Sequence, residues 1–330
     1  MYTKNLKMKN FKKNKYYFMN PIIKDIIFID GVSRSGKLLL GTLISSFKRM
    51  ESLEFGENFE HFSSALSLKK CNYDFAKSYL CNYINQLIYY KMLSRNVNFR
   101  PSDRTGIQNY YDPKLYKKRL KVKEGDKVIE RIKSTQPMIP FVTHEIMTNF
   151  KLFNKLNIRV KFVSIYRSPI ELAYSWIKRG LGTRWGKDPR MFTLLINKGN
   201  KPYPWFLHKN FPKEWGKLNQ YERSIYYVLL LTTRSVAQQK KIKNKKLFFV
   251  TSYDKIVRDT PNELRKISKF LNTNFSKKTH QFIRKEKCPN KYSKDDINFK
   301  KNFLKKNVKK KIFEKLLVLE NKYNKNLYGL

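Results

Sequence analysis

A short run near the start of the sequence has residue types and a spacing that can hold an anion. It begins at Gly31, contains Arg34 and ends in Gly36-Lys37. Glycine lets backbone N–H groups curl around an anion, and the two basic side chains add positive charge. The spacing also fits Gly-x-x-x-x-Gly-Lys, but Leu38 follows where a nucleotide-phosphate loop needs Ser or Thr to hold magnesium. The run predicts a phosphate-type site; a plain glycine-rich turn is the alternative.

A second group of residues, in the middle of the chain, can also hold an anion. Arg167 follows an apolar run and precedes Ser168-Pro169, which reads as a helix N-cap and first helical residue. Glu171 completes the pattern of a capping box. An anion beside Arg167 would gain from its charge and from the helix dipole. Pairing of this arginine with a local carboxylate is the alternative.

These two runs need strands and helices in a defined order to come together. Apolar runs at 25–30 and 159–166 predict strands that end where the two basic runs begin. Further strands are predicted at 127–132 and 246–251, and helices at 37–48, 72–95, 144–156, 168–179, 221–242, 260–271 and 308–323. This alternation predicts an α/β fold with a mainly parallel sheet, in which ligands lie beyond the carboxyl ends of the strands.

Composition bounds the class of protein. Hydrophobic residues make up 41% and aromatic residues 15% of 330 residues, which favours a packed core over a disordered chain. The net charge is +46, from 71 Lys and Arg against 25 Asp and Glu. One interpretation is a polyanionic partner. The other is compositional drift toward Lys, Asn, Ile, Phe and Tyr, which the even spread of lysines favours, so no nucleic-acid partner is expected.

The cysteines and the hydropathy of the sequence indicate the cellular compartment to expect. Three cysteines without paired spacing argue against a disulfide framework and against a zinc site, so no metal is expected. No apolar run reaches the ~18 residues of a membrane span, and residues 1–20 read as a basic arm rather than a signal peptide. We expect a cytoplasmic protein. Residues 21–330 are expected to form one domain, with an irregular insertion at about 181–220 and a basic C-terminal helix.

The first basic run resembles the 5′-phosphosulfate loop of sulfotransferases that use 3′-phosphoadenosine-5′-phosphosulfate (PAPS), usually Pro-Lys/Arg-Ser-Gly-Thr-Thr. Arg34 matches the basic residue, which in that family contacts the 5′-phosphate and the bridging oxygen of the sulfate. Ser33 replaces the common Pro, and Lys37-Leu38 replace two threonines. The resemblance implies donor contacts from Ser33, Arg34, Ser35, Gly36, Lys37 and Leu38.

Two later segments resemble the same family. The run from Arg167 to Ser175 is similar to its 3′-phosphate segment, Arg-Asp/Asn-Pro-x-Asp-x-Ala-x-Ser, in which the Arg and Ser are likewise eight positions apart. Residues 246–272 resemble its late strand, turn and helix. The resemblance covers about residues 25–275, with a family-like end at 328–330, and implies a P-loop-NTPase-like central parallel sheet flanked by helices.

Sulfuryl transfer needs an aligned acceptor hydroxyl and a base that takes its proton. In branches of the family that modify glycans and protein tyrosines, a Glu soon after the first helix is the base, which implies Glu57, with Arg34 stabilising the leaving phosphate. The register also allows Glu54, Glu60 or His61, and Glu57 can equally be a surface residue.

The acceptor is expected to be a hydroxyl on a carbohydrate. Arg184 and several aromatic residues lie in the insertion, namely Trp185, Tyr203, Trp205 and Trp215. Aromatic faces stack on sugar rings, although the same residues can simply anchor a long loop. Two other functions stay open: a P-loop nucleotide kinase or NTPase, and a non-catalytic polyanion-binding protein. Oligomeric state is left open.

Overall fold

The computed structural model describes residues 15–242, 244–290, 294–326 and 328, so the first fourteen residues of the predicted arm and the end at 329–330 lie outside the described residues. The strands are β1 (Ile26–Asp30), β2 (Glu54–Phe55), β3 (Ile139–Thr143), β4 (Val160–Tyr166), β5 (Leu195–Lys198), β6 (Lys201–Pro204) and β7 (Phe248–Ser252). Five of them form one parallel sheet in the order β2-β3-β1-β4-β7, and β5 pairs with β6 as an antiparallel hairpin.

Helices cover both faces of this sheet. They are α1 (Lys37–Ile44), α2 (Glu57–Ser67), α3 (Tyr73–Met92), α4 (Pro113–Arg119), α5 (Asp126–Thr135), α6 (Phe150–Asn154), α7 (Pro169–Lys178), α8 (Gln220–Lys240), α9 (Tyr253–Arg258), α10 (Thr260–Leu271), α11 (Thr279–Lys285), α12 (Lys294–Asn307) and α13 (Lys310–Asn324). The expected α/β fold with a central parallel sheet is therefore confirmed. No helix in the described part of the chain is both long and apolar enough to cross a membrane.

Alternate residues of β1 supply the two cores. Phe28 packs with α2, α3, α5 and α6 on one face of the sheet, and its ring centroid lies 4.8 Å from that of Phe59. Ile27 and Ile29 pack with α1, α9, α10 and α11 on the other face. All five residues of β1 are buried, as expected of a parallel strand covered on both faces. This period of two assigns alternate β1 side chains to opposite faces of the sheet, and the basic run begins at Gly31, directly after the carboxyl end of the strand.

The predicted strand at 127–132 is wrong. These residues lie in α5, where Val128 and Ile132 are buried one helical turn apart. The strand is β3 instead, further along the chain, with Pro140 opposite Ile27 of β1. A proline inside an apolar run argues against a central strand, which is why the pattern concealed β3.

Other boundaries shift by smaller amounts. The predicted helix at 37–48 ends at Ile44, and the one at 144–156 is divided into a 3₁₀ turn (Ile146–Asn149) and α6. The helix predicted at 260–271 has those bounds. Residues 181–220 hold the β5–β6 hairpin among short 3₁₀ turns.

Candidate active site

The loop between β1 and α1 is a tight curl of backbone. Arg34 and Gly36 have positive φ angles of 76° and 100°. A Cβ on Gly36 would lie 2.5 Å from the Tyr253 ring, so both the left-handed conformation and the close approach require glycine. Ser35 N–H donates to the Val32 carbonyl at 3.0 Å, and the Ser35 hydroxyl is buried without a partner among the described residues.

Lys37 lies inside this curl instead of reaching outward. Its side chain is buried, and Nζ donates to the Gly31 carbonyl at 3.0 Å. Burial lowers the pKa of Lys37 to about 8, against the opposing effect of Glu60, Asp30 and Glu145. The Lys37 ammonium group thus links the two ends of the loop from the inside. It loses its charge as the pH rises through about 8.

The two basic runs meet although 133 residues separate them. Arg34 Nε donates to Ser175 Oγ at 3.1 Å, and Arg167 Nη1 donates to the Arg34 carbonyl at 3.2 Å. Arg167 also forms a bidentate pair with Glu171, with both distances 3.1 Å, and lies 4.2 Å from the Tyr253 ring centroid. The loop after β1 and the helix after β4 therefore build one site.

Cations crowd this site. Burial, followed by the neighbouring Arg179 and Arg167, lowers the pKa of Arg34, so the guanidinium groups repel one another. The site opens into a cavity of about 400 Å³, here called the loop cavity. It is lined by Ser33, Arg34, Gly36, Lys37, Leu38, Leu39, Arg104, His144, Arg167, Tyr253 and Glu286. A bound anion would relieve the repulsion and stabilise the desolvated cations.

The N-terminus of α7 differs from the expectation. Ser168 is the N-cap, with Oγ accepting from Glu171 N–H at 3.3 Å. The Glu171 carboxylate, however, pairs with Arg167 and Lys300 and does not complete a capping box. Glu320 of α13 accepts from Ser168 Oγ and from Ile170 N–H at 3.1 Å. The carboxylate at the N-terminus of α7 is therefore the protein's own Glu320. An anion at Arg167 would be held by the arginine and not by the helix dipole.

A second cavity of about 340 Å³, here called the inner cavity, adjoins the first. It is lined by Ser33, Phe55, Glu57, Glu60, His144, Glu145, Trp176, Leu181, Arg184, Trp185, Arg190, Met191, Phe192 and Thr193. Ser33 and His144 line both cavities. A molecule in the inner cavity and an anion in the loop cavity would therefore meet at these two residues.

Three carboxyl groups line the inner cavity beside His144. Burial raises the pKa of half-buried Glu57. Glu60 accepts from the backbone N–H of His144 and lies 3.1 Å from its Nδ1. Burial opposes the ionisation of Glu60, but His144 and Lys37 outweigh it and lower the pKa. Burial, with the negative charge of Glu60, raises the pKa of Glu145 to about 8. Proton-accepting groups of differing basicity thus face one space.

The sequence candidates for the base separate in space. Glu57 and Glu60 line the inner cavity, whereas Glu54 pairs with buried Lys91 and His61 Nε2 lies 2.8 Å from the Phe192 carbonyl. Neither Glu54 nor His61 lines that cavity.

His144 was missed in the sequence, although it directly follows a strand. The strand is β3, which Pro140 concealed, and the predicted helix at 144–156 placed His144 within a helix instead of after a strand. Asp30, at the end of β1, accepts from Thr143 Oγ1 at 2.6 Å and from the N–H groups of Ile146 and Met147. This buried carboxylate fixes the turn that carries His144.

The insertion contributes cations and a buried aromatic core. Trp205 and Trp215 are only 4% and 6% exposed, which supports their interpretation as anchors. Arg184 and Arg190 line the inner cavity and share the single carboxylate of Asp188, leaving a net positive charge. Hydrogen bonds from both arginines hold the pKa of Asp188 well below its usual range.

Comparisons with known proteins identify the family of this chain. The model of the sulfotransferase domain matches residues 24–318. Among solved structures, the chain is similar to the sulfotransferase domain from the curacin biosynthetic pathway (12% identity, 81% of this chain and 78% of that chain, TM-score 0.44). It is also similar to the sulfotransferase domain of the Synechococcus PCC 7002 olefin synthase (14%, 81% and 78%, TM-score 0.40). A third is sulfotransferase STF9 from Mycobacterium avium (12%, 80% and 68%, TM-score 0.39).

No curated protein matches the sequence significantly. In the described part of the chain, no group of His, Cys, Asp and Glu side chains could hold a metal ion. The family model covers nearly the whole chain, including both basic runs, β3 and the residues of the two cavities. The chain therefore belongs to the sulfotransferase domain family, and it is an enzyme of that class.

Proposed function

We propose that this enzyme transfers a sulfuryl group from PAPS to a hydroxyl of an acceptor, which we take to be a carbohydrate. The observation that carries the proposal is the junction of Arg34, Ser175 and Arg167, because it joins two phosphate-type runs in one cation-lined cavity. The acceptor would occupy the inner cavity, which meets the loop cavity at Ser33 and His144.

The donor has two anionic ends, and the residues divide between them. Those we propose as donor contacts are Ser33, Arg34, Ser35, Gly36, Lys37, Leu38, Arg167 and Ser175. The loop after β1 would hold the 5′-phosphosulfate, and Arg167 with Ser175 would hold the 3′-phosphate. Glu171 pairs with Arg167 and also accepts from Lys300 Nζ at 2.9 Å, and Lys300 pairs in turn with Asp296, so these four charges balance. The positive charge left for the donor comes from Arg34, which forms no salt bridge within the described residues and lines the same cavity.

In the reaction, the acceptor oxygen forms a bond to sulfur while the bond from sulfur to the bridging 5′-phosphate oxygen breaks. Arg34 would stabilise the charge that develops on the leaving phosphate. The acceptor proton passes to a base in the inner cavity. The leaving group is 3′-phosphoadenosine-5′-phosphate (PAP).

Two residues fit the role of base. Glu57, the choice that the family resemblance implies, is half-buried with a raised pKa, which makes its carboxylate a stronger base. His144 lies where the cavities meet, with Nδ1 directed to Glu60 Oε1. A carboxylate at Nδ1 leaves Nε2 as the nitrogen that takes the acceptor proton. Because of this position, we favour His144, with Glu60 as its positioning residue.

The acceptor proposal rests on the lining of the inner cavity. Phe192, which is 67% exposed, offers apolar surface for a sugar ring, Trp176 and Trp185 form buried parts of the wall, and Arg184 and Arg190 offer hydrogen-bond donors. Its volume of about 340 Å³ is large enough to hold a sugar ring.

Calorimetric titration with PAP, ADP and magnesium–ATP tests the donor site. We expect micromolar binding of PAP and at least tenfold weaker binding of ADP, which lacks the 3′-phosphate. Arg34→Ala and Arg167→Ala should each weaken PAP binding by about 1.5–3 kcal/mol, the value of a hydrogen bond to a charged group. Arg131→Ala is the matched control, because Arg131 is exposed and lines neither cavity.

Equal affinity for PAP and ADP would reject the 3′-phosphate assignment. Tight magnesium–ATP binding would restore the kinase interpretation, against which Leu38 stands where a magnesium-holding hydroxyl is needed.

A further inference from the structure

A third cavity lies in the insertion, next to the inner cavity. It has a volume of about 590 Å³ and is here called the insertion cleft. Its lining includes Trp185, Lys187, Lys201, Tyr203, Trp215 and Arg223. Trp185 lines both this cleft and the inner cavity, so the two spaces are neighbours. None of the donor residues proposed above lines the cleft.

The cleft carries three cations and no carboxylate. Lys187, Lys201 and Arg223 line it, and none of them forms a salt bridge within the described residues. The acidic neighbour of Arg223 in sequence is Glu222, whose two oxygens accept from the backbone N–H groups of Asn219 and Lys309, each at 3.0 Å. That carboxylate is therefore committed to capping backbone.

Asp188 follows Lys187 in the chain, but its carboxylate is engaged by Arg184 and Arg190. The positive charge of the cleft is consequently not neutralised by the protein itself. An anion would bind there without first displacing an internal partner.

Arg223 is the residue that marks the cleft as a binding site. Its guanidinium carbon lies 5.5 Å from the Trp215 ring centroid, and its Nε is buried without a hydrogen-bond partner among the described residues. The buried Nε is out of a ligand's reach, and the terminal nitrogens of this partly buried side chain are the donors that a ligand in the cleft would meet. The aromatic ring under the guanidinium holds its plane for a two-pronged contact with a carboxylate or sulfate.

The walls of the cleft are held close by glycine. A Cβ on Gly186, where φ is 71°, would lie 2.1 Å from Pro202 Cγ of the β5–β6 hairpin. A Cβ on Gly182 would lie 2.3 Å from Ser224 Oγ of α8. The segment between these glycines is therefore packed directly against both the hairpin and the helix that carries Arg223. Lys187, Lys201 and Arg223 therefore belong to packed segments and not to an open loop.

We propose that the insertion cleft is a second acceptor subsite, which binds a carboxylate or sulfate group on the saccharide unit next to the one being sulfated. Arg223 would bind the acidic group, Lys187 and Lys201 would add charge, and Tyr203 would contact the sugar ring. This inference rests on the proposed function in taking the inner cavity as the acceptor site. It narrows the acceptor to an acidic oligosaccharide.

The test is the binding of a fluorescent heparin hexasaccharide, compared with uncharged cellohexaose, at fixed ionic strength near 0.15 M. Arg223→Gln should weaken hexasaccharide binding about tenfold, because it removes a charge-assisted contact. Arg131→Gln removes the same charge from an exposed site on α5 that lines none of the three cavities, and should change affinity less than twofold. Equal losses in both variants would mean that only overall charge matters, and would overturn the proposal. So would binding of cellohexaose as tight as that of the heparin probe.

Arg223 is partly buried, so a second variant keeps the proposal open to refutation if Arg223→Gln does not fold. Lys187→Gln with Lys201→Gln changes two exposed side chains and should weaken hexasaccharide binding several-fold. Unchanged affinity in that double variant would overturn the proposal.

PAP titration distinguishes failure of the cleft proposal from failure of the proposed function. All the cleft variants should bind PAP like the unmodified protein, and loss of the donor preference would refute the proposed function without touching the cleft.

Discussion

At the scale of single residues, His144 and Glu57 are the two candidates for the base that takes the acceptor proton. Substituting each of them should change turnover to a different extent. Turnover in His144→Gln should fall by about 10²–10⁴, the usual contribution of a general base. Glu57→Gln should lower it by less than about tenfold if the carboxylate only lines the inner cavity. PAP affinity should stay nearly unchanged in both variants, as measured by calorimetry beside steady-state rates.

Glu60→Gln serves as the positioning control. It should retain part of the activity and lower kcat more than it raises KM, because Glu60 orients the His144 ring through Nδ1 and does not itself take the acceptor proton. A large loss confined to Glu57→Gln would instead establish the base that the family resemblance implies.

The lowered pKa of Lys37 predicts that donor binding depends on pH. With a pKa of about 8, its ammonium is charged below that pH and neutral above it. A phosphate in the loop cavity favours the charged form, so PAP affinity should be level below pH 8 and then fall by up to tenfold per pH unit. Glu145, with a pKa of about 8, acquires negative charge over the same range and adds to the fall.

Titrations of PAP at pH 6.5 to 9.5 check this, with Lys37→Met and Glu145→Gln as the comparison. The fall should be smaller in Glu145→Gln and smallest in Lys37→Met. An unmodified protein whose PAP affinity stays constant across that range would remove Lys37 from the donor site.

Local patterns predicted two of the arginines of the loop cavity, and the family resemblance implied Glu57 of the inner cavity, but His144, which lines both cavities, was not predicted. Arg34 and Arg167 each follow a strand and precede a helix, so period and capping placed them on one edge of the sheet before any contact was known. The hydrogen bond of Arg34 to Ser175 is a tertiary fact that no local pattern contains. His144 and Glu145 were missed because their position depends on β3, which Pro140 concealed.

At the scale of elements, a buried ion pair holds the segment that leads into β2 and the acidic residues after it. Arg119 donates to both oxygens of Glu51 at 2.7 and 3.0 Å, and Tyr116 OH donates to the same carboxylate at 2.5 Å. Arg119→Met would leave the buried Glu51 carboxyl without its cationic partner and should lower the free energy of unfolding by about 3–5 kcal/mol. Urea denaturation measures this.

The matched control is Arg95→Met, which breaks the exposed pair of Arg95 with Glu124 and should leave stability nearly unchanged. Equal effects of the two substitutions would show that the buried network does not hold this segment. The network also explains why β2 escaped the sequence analysis. The strand has two residues, and buried charges before it, rather than an apolar run, fix its place beside β3.

At the scale of the whole molecule, the excess of 71 basic over 25 acidic residues acts against the folded state. Like charges held together in a compact chain repel, and salt screens that repulsion over a Debye length of about 8–10 Å at 0.1–0.15 M. Several of the acidic groups are already committed to internal partners, among them Glu51, Glu171 and Glu320. Few are left to offset the surface lysines.

The melting temperature should therefore rise as NaCl is increased from 0.02 to 0.5 M, by roughly 1–2 °C for each kcal/mol of repulsion removed. Saturating PAP should raise it further at low salt, and this increment should shrink as salt is added, since screening weakens the phosphate contacts that produce it. Differential scanning fluorimetry with and without PAP separates the two contributions. A melting temperature that falls with NaCl would mean that surface ion pairs outweigh the net repulsion, and that the +46 charge is organised to stabilise the fold rather than merely tolerated by it.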